Sequence, residues 1–302
     1  MISIIGSGRV GADIAFLCAA NALDDILLIN RTKDKAIGES LDIANSIPSD
    51  SKFSIRGTDD FSKLSGSNIV IVSASVSIYQ KYRTEHLFSQ VNMIKNIAKK
   101  VKQYCPTAIV LIISNPLDVL TYFFQKESQL DRFKVIGIAS SLDSSRFHYV
   151  LSEKFNVPLH SISNPTVIGE HGDSMVLLFS NIKVNNVPIL SKINENEMES
   201  IVNNVKNYWK VLRMYNTRSR YGIAKRTFDV IDSFINSKDL EISASVVLDG
   251  EYGENDVSIG VPVKISKNGS IEIQKITLTP KESELLKKSS NQIRNFIKSV
   301  KS

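Results

Sequence analysis

Short, mostly apolar runs recur through the first half of the chain, at 2–5, 26–29, 69–72, 108–113 and 135–138. Runs of this length, rich in Ile and Val and without strict polar alternation, predict strands buried on both faces. Between them the apolar spacing lengthens to that of helices, over 9–21, 35–46 and a long stretch near 85–104. Strands alternating with helices need right-handed crossovers, so this half reads as α/β with a doubly wound parallel sheet.

The pattern changes near residue 140. A helix is expected over 143–155, strands over 176–184 and 187–190 around Asn185-Asn186, and helices over 195–215 and 220–236. A β meander follows at 242–248, 263–266 and 270–276, turning at Lys267-Asn268-Gly269. Thr279-Pro280-Lys281-Glu282 combines a capping box with proline at the first helical position, which specifies the start of a last helix. The expected organisation is two domains, 1–140 with the parallel sheet and 141–302 of α+β type. No Pro/Gly-rich linker divides them, so close packing is expected.

Composition acts mainly by exclusion. A chain of 302 residues, 42% hydrophobic and 23% charged, is an ordinary globular sequence with room for two domains. The net charge of +6 suits an anionic ligand, such as a phosphate-bearing cofactor or an acidic substrate. Basic pairs such as Lys99-Lys100 and Lys287-Lys288 have the spacing of solvated helix faces, so nucleic acid is not an expected partner. The longest apolar run, 108–113, is far below the roughly 18 residues of a membrane span. Met1-Ile2-Ser3-Ile4-Ile5 reads as a strand, not a targeting segment. Cys18 and Cys105 have no metal-type partners nearby and are too few for a disulfide framework. The expectation is a cytosolic protein with neither a metal nor a membrane partner.

The first run leads into Gly6-Ser7-Gly8-Arg9-Val10-Gly11, and a helix follows. The first glycine permits the tight turn, the second lets a pyrophosphate approach the backbone, and the third lets helix and strand pack closely. The helix N-terminus offers free N–H groups and partial positive charge to phosphates. Gly6, Gly8, Arg9, Val10 and Gly11 are therefore candidate dinucleotide contacts. Roughly twenty residues past such a loop an acid normally accepts from the ribose 2′-OH. Here the segment is Asn30-Arg31-Thr32-Lys33. Asn30 can bond a hydroxyl without repelling a 2′-phosphate, and Arg31, Thr32 and Lys33 could contact one. The expected cofactor is NADP(H), preferentially or alongside NAD(H). The alternative is that Arg31 and Lys33 are solvated loop charges.

Of four histidines, His171 alone lies in a polar, glycine-flanked segment, Gly169-Glu170-His171-Gly172-Asp173-Ser174. Upstream, Asp143 and Arg146 are three apart and so share a helix face. Oxidising a 2-hydroxy acid removes a hydride from carbon and a proton from oxygen. An imidazole suits the proton, a carboxylate on its other nitrogen fixes the tautomer, and an arginine grips the substrate carboxylate. By residue type alone, a structural network explains the set equally well.

Several segments together resemble the signatures of the lactate/malate dehydrogenase family. They are Leu142-Asp143-Ser144-Ser145-Arg146-Phe147, 169–174, Ser114-Asn115-Pro116-Leu117-Asp118-Val119-Leu120-Thr121, Gly250-Glu251-Tyr252-Gly253 and Ile259-Gly260-Val261-Pro262-Val263. The resemblance covers essentially the whole chain and is greatest to archaeal and bacterial lactate-dehydrogenase-like malate dehydrogenases. It implies a Rossmann domain followed by an α+β catalytic domain, in dimers or tetramers. It further implies His171 as proton acceptor, Asp143 as its partner and Arg146 on the C1 carboxylate. Asn115 would orient substrate near the nicotinamide, Ile113 and Asn92 would lie by the cofactor, and Ser219 near the substrate.

One stretch departs from the family. Its mobile loop normally carries glycines, a proline and two arginines, whereas 74–85 here reads Ala-Ser-Val-Ser-Ile-Tyr-Gln-Lys-Tyr-Arg-Thr-Glu. Counting forward from Ala74 puts the substrate-selecting position at Ile78 and the carbonyl-polarising arginine at Thr84. Counting back from Asn92 gives Tyr79 and Glu85, which implies a one-residue insertion. Arg83 is the nearest arginine and the candidate substrate contact. Three outcomes are open: a malate dehydrogenase using Arg83 or Lys81, a dehydrogenase of lactate or another apolar 2-hydroxy acid, or a catalytically impaired nucleotide-binding protein.

Overall fold

The unbroken apolar runs become strands with no solvent-facing side. In the computed structural model, which describes residues 1–76 and 83–301 without the side chains of 83–85 and 301, the first half is a strand–helix alternation. It comprises β1 (Ile2–Ile5), α1 (Arg9–Ala20), β2 (Ile26–Ile29), α2 (Lys33–Ala44), β3 (Ile55–Thr58), β4 (Ile69–Val72), α3 (Arg83–Tyr104), β5 (Ile109–Ile112), α4 (Leu117–Ser128), β6 (Val135–Gly137) and α5 (Ala139–Phe155). Every residue of β1, β2 and β4 is buried, so Ile and Val pack on both faces.

The second half continues with short strands β7 (Ile162–Ser163), β8 (Val167–Ile168), β9 (Val176–Leu177), β10 (Lys183–Val184) and β11 (Val187–Pro188). Helices α6 (Glu195–Lys206), α7 (Tyr208–Met214) and α8 (Tyr221–Ile235) follow, then the long hairpin of β12 (Leu240–Asp249) and β13 (Asn255–Ile265), then β14 (Ile271–Ile273) and α9 (Pro280–Lys301). The capping box at the start of α9 forms: Glu282 N donates to Thr279 Oγ1 at 3.3 Å and Thr279 N to the Glu282 carboxylate at 2.9 Å.

One nine-stranded sheet has the order β14-β13-β12-β6-β5-β4-β1-β2-β3. From β6 to β3 all pairs are parallel, and β12 to β14 add an antiparallel edge. The two parts meet where Ser245 pairs with Gly137. A single sheet therefore runs through both halves of the sequence, and residue 140 falls in the first turn of α5. Chain order reverses between β4 and β1, which opens a crevice at the carboxyl ends of those strands.

Several local expectations need correction. The 176–184 run is not one strand: β9 ends at Leu177, a turn follows, and β10 holds only Lys183 and Val184. The 187–190 strand stops after Pro188 and tightens into a 3₁₀ turn. The single helix over 195–215 breaks at Asn207, whose side chain and backbone N–H both bond the Asn203 carbonyl. Among the described residues no helix is long and apolar enough to cross a membrane. Among them also no cluster of His, Cys, Asp and Glu is arranged to hold a metal ion.

Candidate active site

The crevice beside β1 and β4 is built for a close ligand. Gly6 has φ +104°, and a Cβ on it would stand 2.6 Å from the Ala74 backbone nitrogen. A Cβ on Gly11 would stand 2.0 Å from the Gly6 carbonyl oxygen, so α1 packs directly on the loop. Gly8, at the N-cap of α1, faces open space instead. That helix start has no capping side chain and no acid in its first turn, so its amides and partial positive charge are free for an anion. Arg9 is exposed and Val10 half-buried there. These features fit the pyrophosphate of a dinucleotide.

The neighbouring loops are tied to the cradle. Asn30 Nδ2 donates to Ser7 Oγ at 2.9 Å, and its Oδ1 accepts from Thr32 N at 3.0 Å. The amide at the end of β2 is thus anchored to the glycine loop, with Arg31 exposed beside it. Ser114 Oγ donates to the Ala74 carbonyl at 2.5 Å, joining the loops that follow β4 and β5. Ile113 is buried under this contact, and Asn115, in cis linkage to Pro116, is exposed beyond it. Asn92 is an exposed residue of α3. Ser219 is half-buried before α8, next to Arg220, whose guanidinium forms a two-pronged contact of 2.7 and 2.6 Å with Asp13 of α1.

The second group lies where α5 meets the loop before β9. His171 Nδ1 is 2.5 Å from Asp143 Oδ2, and Arg146 Nη1 donates to Asp143 Oδ1 at 3.1 Å. One buried carboxylate, 1% exposed, therefore holds both the imidazole and the guanidinium. The helical spacing of Asp143 and Arg146 brings them together, and the turn at Gly172, where its N–H bonds the Glu170 carbonyl at 2.9 Å, presents His171 to them. The His171 side chain keeps 17% of its surface accessible. Burial pushes its imidazole towards neutrality. The charge and hydrogen bond of Asp143 outweigh that, with help from Asp118 and against the opposing charge of Arg146, so its pKa is raised. Among the described residues Arg146 spends only Nη1 on a side-chain partner, and its guanidinium lies 5.5 Å from the Tyr208 ring centroid.

Sequence reasoning missed the residues that hold this loop. Asp118 accepts the His171 backbone N–H at 2.8 Å, and Ser289 Oγ accepts the Glu170 N–H at 2.7 Å. The available signal for Asp118 was an acid set among the apolar residues Leu117, Val119 and Leu120. For Ser289, far along α9, there was none. Ile78, Tyr79 and Lys81 lie outside the described residues. Arg83 begins α3, with its side chain, like those of Thr84 and Glu85, outside the description.

A glycine cradle at a sheet switch point, together with a carboxylate-backed histidine and a neighbouring arginine, has the chemistry an oxidoreductase of small hydroxy acids needs. Comparison with known proteins agrees. Residues 1–137 match the profile of the lactate/malate dehydrogenase NAD binding domain, and 140–302 that of the lactate/malate dehydrogenase alpha/beta C-terminal domain. The chain belongs to the lactate/malate dehydrogenase family. Among solved structures it is similar to a lactate dehydrogenase from Cryptosporidium parvum, solved with lactic acid and β-nicotinamide adenine dinucleotide: identity is 33% over 100% of this chain and 98% of that one, with a TM-score of 0.93. It is also similar to a malate dehydrogenase from Aeropyrum pernix, with 32% identity, 99% and 98% coverage and a TM-score of 0.92. A malate dehydrogenase from Cryptosporidium parvum is 28% identical over 99% of this chain and 98% of that one, with a TM-score of 0.91. The family makes this chain a 2-hydroxy acid dehydrogenase that binds NAD(H).

Proposed function

We propose that the chain interconverts malate and oxaloacetate, with His171 as the acid/base, Asp143 as its partner and Arg146 on the C1 carboxylate. The observation that carries this reading is the shared carboxylate of Asp143, bonded to His171 on one oxygen and Arg146 on the other. A nicotinamide held by the glycine loop would supply or take up the hydride when bound. Oxidation of the alcohol leaves its hydroxyl proton on His171 Nε2, because Nδ1 is committed to Asp143. Reduction returns that proton to the new alkoxide. Asp143 stabilises the imidazolium in both directions. Arg146 offers its uncommitted N–H groups to the substrate carboxylate, Asn115 orients the substrate, and Ser219 borders it.

A second carboxylate on the substrate needs a further cation, and the segment 75–85 carries Lys81 and Arg83. A pocket for pyruvate or another apolar 2-oxo acid is the second reading. It is favoured by Ile78 and Tyr79 in that segment and by the likeness to a lactate dehydrogenase. The cofactor reading includes NADP(H), because Asn30 carries no charge to repel a 2′-phosphate and Arg31 is exposed next to it. Ile113 and Asn92 complete the proposed cofactor contacts. Self-association as a dimer or tetramer is proposed from membership of the family.

The test is a panel of oxaloacetate, pyruvate and branched 2-oxo acids, each with NADH and NADPH. The malate reading expects oxaloacetate to be preferred by at least tenfold in kcat/KM, and preference for pyruvate would replace it with the second reading. No turnover of any substrate, with cofactor binding intact, would overturn both. Strong NADH preference would remove NADP(H).

A further inference from the structure

Arg146 has to present a flat fork, yet one bond anchors it. Among the described residues its hydrogen-bonded side-chain partner is Asp143, reached through Nη1 at 3.1 Å. A single bond leaves the guanidinium plane free to swing about it. A fork that receives a carboxylate on two parallel N–H groups needs that plane fixed. A second acid could fix it only by taking further N–H groups, which the substrate needs.

The fold supplies a different kind of brace. Tyr208 is the first residue of α7, set there by the break at Asn207. The Arg146 guanidinium carbon lies over its ring, 5.5 Å from the centroid. Contact with a ring face uses the charge and the flat surface of a guanidinium and none of its N–H groups. The ring is itself held. Tyr149, three residues after Arg146 on α5, meets it edge to face, with centroids 6.4 Å apart and planes at 89°. Arg146 and Tyr149, neighbours on one helix face, thus both address one ring.

Core packing does not account for that ring. Among the described residues none of α7 is fully buried, and none joins either hydrophobic core. Trp209, Val211 and Met214 of the same helix are exposed, whereas Tyr208 is half-buried.

We propose that Tyr208 is a positioning residue for substrate recognition. Its ring holds the Arg146 guanidinium in the plane that receives the C1 carboxylate of a 2-oxo acid, and leaves the N–H groups free to do so. This rests on the reading of Arg146 as the carboxylate anchor.

The experiment measures KM and kcat for the preferred 2-oxo acid with NADH in wild type, Tyr208→Leu, Tyr208→Phe, Arg146→Lys and the double variant Tyr208→Leu with Arg146→Lys. NMR of the Arg146 side-chain N–H groups in the whole protein, assigned with Arg146→Lys, reports the contact itself, because a ring face moves protons held over it upfield. Tyr208→Leu keeps apolar bulk and loses the ring. KM should rise about fivefold or more, with kcat and NADH affinity within about twofold of wild type. The Arg146 signals should move downfield. Tyr208→Phe should restore both readouts. In the Arg146→Lys background Tyr208→Leu should add less than about twofold, since the group it acts through has gone. Tyr149→Ala removes the edge contact and should raise KM by less; it replaces Tyr208→Leu as the test if that variant does not fold. An unchanged KM in the folded variant, or an equal effect in the Arg146→Lys background, would overturn the proposal while Arg146 is judged by its own substitution. If Arg146→Lys also leaves KM unchanged, the reading of Arg146 falls and the proposal falls with it.

Discussion

Replacing Asp143 by asparagine should separate a working acid/base pair from a structural network. The substitution preserves shape at a site only 1% exposed and removes one charge. An amide cannot serve both existing partners. With its oxygen towards His171, its NH2 group faces the Arg146 guanidinium, donor against donor. With its NH2 group towards His171, Nδ1 must accept, the proton moves to Nε2, and the face meant to receive the substrate proton is filled. A hydrogen bond to a charged group contributes about 1.5–3 kcal/mol, and an unpaired buried charge costs about 3–5 kcal/mol. A loss near 3 kcal/mol corresponds to a fall of roughly 150-fold in kcat/KM. The assay follows NADH oxidation with the best 2-oxo acid of the panel. NADH fluorescence titration and thermal denaturation serve as controls: NADH affinity should change little, since the cradle around Gly6 and Gly11 is built on other elements, while the thermal midpoint should fall by the few degrees that an unpaired buried charge costs, with the variant still folded at the assay temperature. The pH dependence gives an independent sign. With the imidazole pKa raised by Asp143, the protonated form needed for reduction persists to higher pH and is lost as pH rises through that value. Without that charge the falling limb should move to lower pH. A variant within about threefold of wild-type kcat/KM, with an unmoved limb, would refute the assignment of Asp143 and with it the proton path through His171.

Two further perturbations address the other ligands. Gly11→Ala puts a methyl group 2.0 Å from the Gly6 carbonyl oxygen, so α1 must move off the loop. We expect destabilisation of about 1–3 kcal/mol and at least tenfold weaker NADH binding by fluorescence, whereas unchanged affinity would place the dinucleotide elsewhere. Arg146→Lys keeps the charge but loses the planar fork, so KM for the 2-oxo acid should rise by about tenfold or more. A KM within threefold would release Arg146 from the C1 carboxylate.

The parallel sheet was legible because residues buried on both faces leave no polar alternation, and β1, β2 and β4 fall where their apolar runs lie. The elements overlooked have the opposite character. Edge strand β3 reads Ile-Arg-Gly-Thr, half-exposed and not apolar, and its pairing with β2 supplies order that its own residues do not announce. Helix α4 is buried at every residue from Leu117 to Phe124, so that stretch lacks the polar face that reveals a helical period. The 176–184 run failed for a different reason. Its apolar side chains divide between two cores, Val176 and Leu178 in the main one and Leu177, Phe179, Ile182 and Val184 in a second around Phe147, and burial there comes from turns as much as from strands.

The site divides along a similar line. Asp143 and Arg146 sit on one helix turn, and the glycine loop is contiguous, so local spacing was enough to nominate them. Asp118 reaches His171 across 53 positions and Ser245 across 127, distances over which no local pattern operates. Residue type nonetheless held usable information. An ionisable group in the first turn of an apolar helix is favoured by the helix dipole but opposed by burial, and it persists only where fixed donors satisfy it. Those donors here are the amide of the candidate acid/base and a hydroxyl from the central hairpin, both contributed by the second half of the chain. The acid at the start of α4 thus marks, once its burial is seen, the place where the cofactor-binding half meets the half that carries His171.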